Sequence, residues 1–257
     1  LGQIDLRLPF FAAAGLAGLN WLYGAFVLPE SLPPERRRPF DWKRANPVGA
    51  LQALGKFANV LPLASVHLLA MLVQFCVHST WVLYTQYRYG WDTREVGLSL
   101  ALVGTMGMIV QGGLVRWVAP KLGEYRCIVT GLIISTCFLV VFGSVSQSWV
   151  VYAMIPIAAL GNVAPPALQG LISRRVPGAE QGALQGALAG LSSLAGVIAP
   201  PAAAWIFGYG IDQIHIWKVP GLAFYVAASL QLVGLLIVLR LRTGNPTPAP
   251  VPAADLC

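Results

Sequence analysis

Six side chains recur at intervals of four, three, four, three and four residues: His67, Met71, Gln74, His78, Trp81 and Thr85. At 3.6 residues per turn, this spacing puts them on one side of a helix. Imidazole, carboxamide, indole and hydroxyl groups in such a row are suited to holding a small molecule by hydrogen bonds. In hydrocarbon they would lack partners, so the stripe faces either a water-filled cavity or a neighbouring helix. Gln74, His78, Trp81 and Thr85 are candidate cavity residues, whereas His67, nearer the inner end, reads as structural. Asn162 and Gln169 form a second candidate set, seven residues apart on one face of a segment interrupted by Pro156, Gly161, Pro165 and Pro166. Prolines at mid-depth remove backbone donors, and broken helices of this kind build many transporter sites. A structural kink is the rival reading of that segment.

Catalytic signatures are missing. The chain has no Walker loop, no Gly-x-Gly-x-x-Gly and no His-Glu-x-x-His. Gly97-Leu98-Ser99-Leu100-Ala101 is a faint nucleophile-elbow pattern without an obvious base, and Asp212 with His215 is the nearest acid–base pair. Cys76, Cys127, Cys137 and Cys257 show neither metal nor redox spacing. The expectation is a protein that is not an enzyme, with no catalytic residues, no metal and no cofactor. All 10 acids fall in loops or at span ends. An ion-driven transporter needs a titratable group at membrane depth, and only His67 and His78 qualify here. Protons, if they are the coupling ion, would act through acids outside this chain.

The elements that position these residues are membrane spans. Hydrophobic residues make up 56% of the chain and charged residues 11%, with mean hydropathy +0.67. A soluble domain is about one-quarter charged, so the partner is the lipid bilayer and the fold class is an all-α integral membrane protein. Seven runs are long enough to span: 9–28, 61–86, 96–115, 127–146, 149–172, 183–208 and 219–240. The net charge of +7 forms no nucleic-acid-binding patch, because the basic residues lie in short clusters between the runs. Arg36, Arg37, Arg38, Lys43, Arg44, Lys56, Arg116, Lys121, Arg126, Arg174, Arg175, Arg240 and Arg242 fall on one side, against Arg7, Arg88, Arg94 and Lys218. The positive-inside rule then places the C-terminus in the cytoplasm, as a multi-pass protein of the inner membrane. Leu1 falls outside, as expected of a chain that begins within a longer protein.

The organisation expected is a lone helix at 1–28, a cytoplasmic linker at 29–59, a six-helix unit at 60–242 and a disordered tail at 243–257. Within the linker, Val48, Leu51, Leu54 and Phe57 recur at helical spacing after Asn46-Pro47, suggesting a surface helix. Span six carries Gly182, Gly186, Gly190 and Gly196 at intervals that let helices approach closely. This row of small residues runs up to Pro200-Pro201, inside the 183–208 run. Gly97, Gly104, Gly107 and Gln111 on span three are its candidate partner seam.

Several segments together carry a family resemblance. They are Leu28-Pro29-Glu30-Ser31, Trp81-Val82-Leu83-Tyr84-Thr85 with Arg88-Tyr89-Gly90-Trp91, Pro166-Ala167-Leu168-Gln169-Gly170, and Gln181-Gly182-Ala183-Leu184-Gln185-Gly186. In this order and spacing the chain resembles the tetracycline-resistance branch of the major facilitator superfamily, from its sixth helix to its twelfth. Lys121-Leu122-Gly123-Glu124-Tyr125-Arg126 resembles the second copy of that superfamily's cytoplasmic gating loop, making Lys121, Gly123 and Arg126 gating candidates. The resemblance implies a twelve-helix drug–proton antiporter, monomeric at full length and built from two six-helix halves. This chain would then hold the last helix of the N-terminal half and the whole C-terminal bundle. Tetracycline exporters carry a histidine in helix eight and an aspartate in helix nine, where this chain has Gly107 and Ser135. That departure speaks against tetracycline itself as substrate and leaves a small amphipathic molecule as the implied cargo. Import or facilitated passage of a native metabolite is the alternative, because the same fold runs in both directions.

Overall fold

The computed structural model describes residues 7–27, 60–212 and 218–244. Among them every regular element is helical. The linker, the helix suggested within it, His215 and the tail beyond Gly244 lie outside the described residues. The chain divides into two units, Leu1–Trp42 and Lys43–Cys257.

The first unit contributes one helix, α1 (Leu8–Phe26), entered through Pro9 in its first turn. Six helices among the described residues are long and apolar enough to cross a membrane, and α1 is not one of them. The expected count of seven is therefore corrected to six by this measure. Asn20 and three glycines dilute the apolar run of α1, although it still forms a 19-residue helix.

The second unit is a bundle of α2 (Leu61–Tyr89), α3 (Thr93–Leu122), α4 (Glu124–Ser144), α5 (Ser148–Ser173), α6 (Gln181–Ile211) and α7 (Leu222–Gly244). Local chemistry sets their limits. Pro62 opens α2, and Gly90 closes it with φ +67°, a left-handed conformation that disfavours a side chain. Asp92 and Glu95 form a capping box at the start of α3: Glu95 N donates to Asp92 Oδ1 at 2.8 Å and Asp92 N to Glu95 Oε2 at 3.0 Å. A single residue, Gly123 at φ +79°, separates α3 from α4.

Three helices depart from regular geometry or from the expected limits. α3 widens into a π-helical stretch at Val110–Leu114, which the sequence pattern did not reveal. α5 tightens to 3-10 geometry at Leu160–Val163, within the proline-rich segment. Pro165 and Pro166 have no N–H to offer the carbonyls four residues back, so the turn before them is re-formed. α6 continues through Pro200 and Pro201, as the 183–208 run implied, and ends three residues beyond that run at Ile211. Its neighbours hold the interrupted ladder in place, as commonly happens in membrane bundles.

α2 packs along α6 and α7, α7 lies between α2 and α4, α4 lies on α5, and the first part of α5 lies on α3. One apolar cluster includes Val60, Leu63, Ile128, Ile172, Leu184 and Val238. The other is aromatic, with Trp81, Tyr84, Phe142, Phe207 and Phe224. The closest helix approaches use glycines other than those expected. A Cβ on Gly131 of α4 would lie 2.6 Å from Ala164 Cβ and 2.8 Å from Gly161 O of α5, and one on Gly221 would collide with the Gly143 backbone. By contrast, a Cβ at Gly97, Gly104, Gly182, Gly186 or Gly190 would meet nothing within 4 Å, so the expected seam between spans three and six is absent from this unit. α6 instead turns Ala187, Ala195, Ala199 and Ala203 inward, all buried.

Candidate functional site

The stripe on α2 keeps one face but crosses three environments. His67 Nε2 hydrogen-bonds Ser192 Oγ of α6 at 3.1 Å, as suits a structural residue. Met71, Gln74, His78 and Trp81 border a cavity of about 1100 Å³. Thr85 lies beyond it, fully buried, with its hydroxyl donating to Trp81 O at 2.9 Å. As a candidate cavity residue Thr85 is corrected: its hydroxyl serves its own helix.

The aromatic cluster explains why the cavity stops there. Phe142 of α4 stacks on Trp81 with ring centroids 4.8 Å apart, and the Tyr84 hydroxyl donates to Phe142 O at 3.0 Å. Tyr89 OH donates to Val145 O at 3.1 Å. These tyrosines satisfy carbonyls of the last turn of α4, which no intrahelical donor reaches. The Trp81 indole N–H donates to Ser99 Oγ of α3 at 3.1 Å, so this donor is already used and Trp81 borders the cavity with apolar ring atoms. The neighbouring turns are tied as well, by Trp91 Nε1 to Ser148 Oγ at 2.5 Å and Arg88 Nη2 to Ser146 Oγ at 2.6 Å.

The other walls come from α3, α4, α5 and α7. Gly104, Gly107 and Gln111 of α3 line the cavity instead of packing against α6. Gln111 lies in the π-helical stretch, a feature frequent at functional sites because it re-aims side chains. Asn162 lies in the 3-10 turn of α5, with its Nδ2 4.0 Å from where a Gly107 Cβ would be. Ser135 of α4 and the largely buried Gln231 of α7 complete the polar lining. Sequence reading missed Gln231, a lone amide in an apolar helix, although a polar side chain at that depth was itself the signal. Among the described residues, the side chains of Gln74, His78, Gln111, Asn162 and Gln231 make no hydrogen bond to the protein. Their donors and acceptors remain for water or a ligand.

Gln169 is not part of this lining. Its Nε2 donates to Gln185 Oε1 at 3.0 Å, and Gln181 Nε2 donates to Ser173 O at 2.6 Å. These glutamines fasten the end of α5 to the start of α6, between the exposed Gly182 and Gly186. At the same end of α5, Arg174 Nη2 bonds Glu124 Oε1 at 2.8 Å, and Glu124 Oε1 lies 3.0 Å from a Cβ placed on Gly170. Of the gating candidates, Gly123 shapes the turn, whereas Lys121 and Arg126 are exposed. The ion pair that ties this turn to α5 is made by the residue between them.

The tetracycline resistance protein, class C, from Escherichia coli is 33% identical over 235 residues, covering 91% of this chain and 58% of that protein. The class E protein from the same organism is 30% identical, covering 90% of this chain and 57% of its own length. The chain is related to the tetracycline-resistance branch of the major facilitator superfamily. The major facilitator fold is independently matched by the crystal structure of the human organic anion transporter MFSD10 (TETRAN), with TM-score 0.73 and 20% identity over 90% of this chain and 57% of that one. No protein-family model matches the chain. The chain spans a little over half the length of the relatives it matches. With six helices among the described residues long and apolar enough to cross a membrane, the chain is a multi-pass membrane protein.

Proposed function

We propose that this chain forms part of a proton-coupled exporter of amphipathic small molecules, with the cavity bounded by α2, α3, α4, α5 and α7 on the substrate path. The observation that carries the reading is the pairing of an approximately 1100 Å³ cavity with polar side chains that have no protein partner. A cavity of this size suits a drug-sized ligand, and the mixed apolar and amide lining suits an amphipathic one. The relatives' names state tetracycline resistance, which export of a toxic compound would produce. Tetracycline is not the cargo proposed, because Gly107 and Ser135 put no titratable group into this wall.

The arrangement proposed is an inner-membrane monomer with a cytoplasmic C-terminus. α1 would be the final helix of a preceding half, and that half would carry the coupling carboxylates. Lys121, Arg126, Arg174 and Glu124 would share the cytoplasmic end, where the Glu124–Arg174 pair holds α5 against the α3–α4 turn. The test is to express the full-length protein in a bacterial strain lacking its own efflux pumps. Reduced susceptibility to toxic amphiphiles, with dye efflux driven by an imposed proton gradient, is expected. Unchanged susceptibility and no gradient-driven efflux would remove the reading, and counterflow of a metabolite in vesicles would favour import instead.

A further inference from the structure

The charge of the cavity lining narrows what it can hold. Its walls come from five helices, and among the described residues no lining residue is Asp, Glu, Lys or Arg. His78 is the single titratable side chain among them. The remaining hydrogen-bonding groups are the carboxamides of Gln74, Gln111, Asn162 and Gln231 and the hydroxyl of Ser135. A carboxamide presents two donors and an acceptor, so this wall can pair with either kind of group on a ligand. The rest of the lining is largely apolar, with the Trp81 ring at one end.

An ion entering such a space loses hydration without meeting an opposite charge, a penalty that grows with burial. Cations find no carboxylate in these walls, and anions find no guanidinium or ammonium. An uncharged molecule pays only for the exchange of water hydrogen bonds for amide ones, which is close to neutral. We infer that this cavity binds uncharged amphipathic molecules bearing both hydrogen-bond donors and acceptors, and discriminates against permanent cations and anions of similar size. The inference rests on the proposal that the cavity lies on the substrate path.

The test uses a cysteine reporter in the full-length protein. Gln111→Cys is made with Cys137 and Cys257 changed to serine, and the rate of alkylation by uncharged N-ethylmaleimide is followed. Three probes compete: chloramphenicol as the neutral amphiphile, tetraphenylphosphonium as the cation and 1-anilinonaphthalene-8-sulfonate as the anion. Half-protection by chloramphenicol is expected at a concentration at least tenfold below that of either ion. Adding Gln74→Glu should lower the tetraphenylphosphonium concentration at least tenfold and raise that for chloramphenicol. Equal or better protection by either ion before that change, no response to Gln74→Glu, or no protection by any probe would overturn the inference. Should Gln111→Cys fail to fold, Asn162→Cys reports by the same criteria. Protection in this order without gradient-driven efflux would remove the transport proposal and leave the binding inference standing. Efflux without protection would do the reverse.

Discussion

The Trp81 indole N–H and the Ser99 hydroxyl join α2 to α3 across 3.1 Å, at the edge of the cavity and out of reach of a ligand. Ser99 in turn donates to Val96 O at 2.7 Å, so the hydroxyl is occupied as both acceptor and donor. Ser99→Ala would leave the indole N–H buried without a partner, whereas Trp81→Phe removes the donor and keeps an aromatic ring against Phe142. Ser99→Ala is expected to cost about 1–2 kcal/mol, with the double variant little worse than Trp81→Phe alone. Unfolding of the four proteins in detergent measures the cycle, and additive losses would show that the bond contributes nothing.

Solvent access should separate the α2 stripe into parts. Cysteines at Gln74 and His78 face the cavity and should react with water-soluble thiol reagents, with protection by a transported compound. Thr85→Cys, at a fully buried position, should stay inert. Gln169→Cys should react without protection, because its site lies beside Gln185 and away from the lining.

Glycine substitutions should rank by what stands next to them. Gly131→Ala forces a methyl group against Ala164 and the Gly161 carbonyl, and should cost about 1–3 kcal/mol. Gly186→Ala and Gly190→Ala meet open space within this unit and should change stability by no more than about 0.5 kcal/mol. Thermal unfolding of the 257-residue chain in detergent checks the order.

The Glu124–Arg174 pair should matter more for movement than for stability. Arg174 is 76% exposed, so solvent screens the pair, and Glu124→Gln should cost at most about 1 kcal/mol. If the pair latches the cytoplasmic end, Glu124→Arg should reduce efflux by the full-length protein several-fold, and adding Arg174→Glu should restore most of it. Loss without rescue would assign Glu124 a role other than pairing.

Gly107 offers a direct way to fill the cavity. Nothing lies closer than the Asn162 amide, 4.0 Å from its Cβ position, so a larger side chain projects into the space without striking backbone. Gly107→Leu should weaken ligand protection of a Gln74→Cys reporter about tenfold while leaving the unfolding temperature within a few degrees. An unchanged ligand affinity would place the ligand elsewhere.

Local sequence rules foretold much of the architecture. Long apolar runs gave the bundle, because only helices satisfy their own backbone in lipid, whereas Pro62, Gly90, Asp92 and Gly123 set helix limits that the ends of those runs did not mark. Spacing singled out Gln74, His78 and Asn162, which border the cavity. Gln231 was missed because a single polar residue makes no pattern. The π-helical stretch around Gln111 was missed because it is settled by packing, not by residue type.

What the sequence could not decide was which side of each small or polar residue meets a neighbour. Periodicity places Gly186 and Gly131 equally well on helix faces, yet only Gly131 has another backbone pressed against it. It puts Trp81, Thr85 and Gln74 on one stripe, yet Ser99 takes the indole, the α2 backbone takes the hydroxyl, and the amide is left to the cavity. A helix's own sequence determines its faces, because the 3.6-residue turn is local. The partner of each face is set by contacts between residues distant in the chain, and only the tertiary structure supplies them.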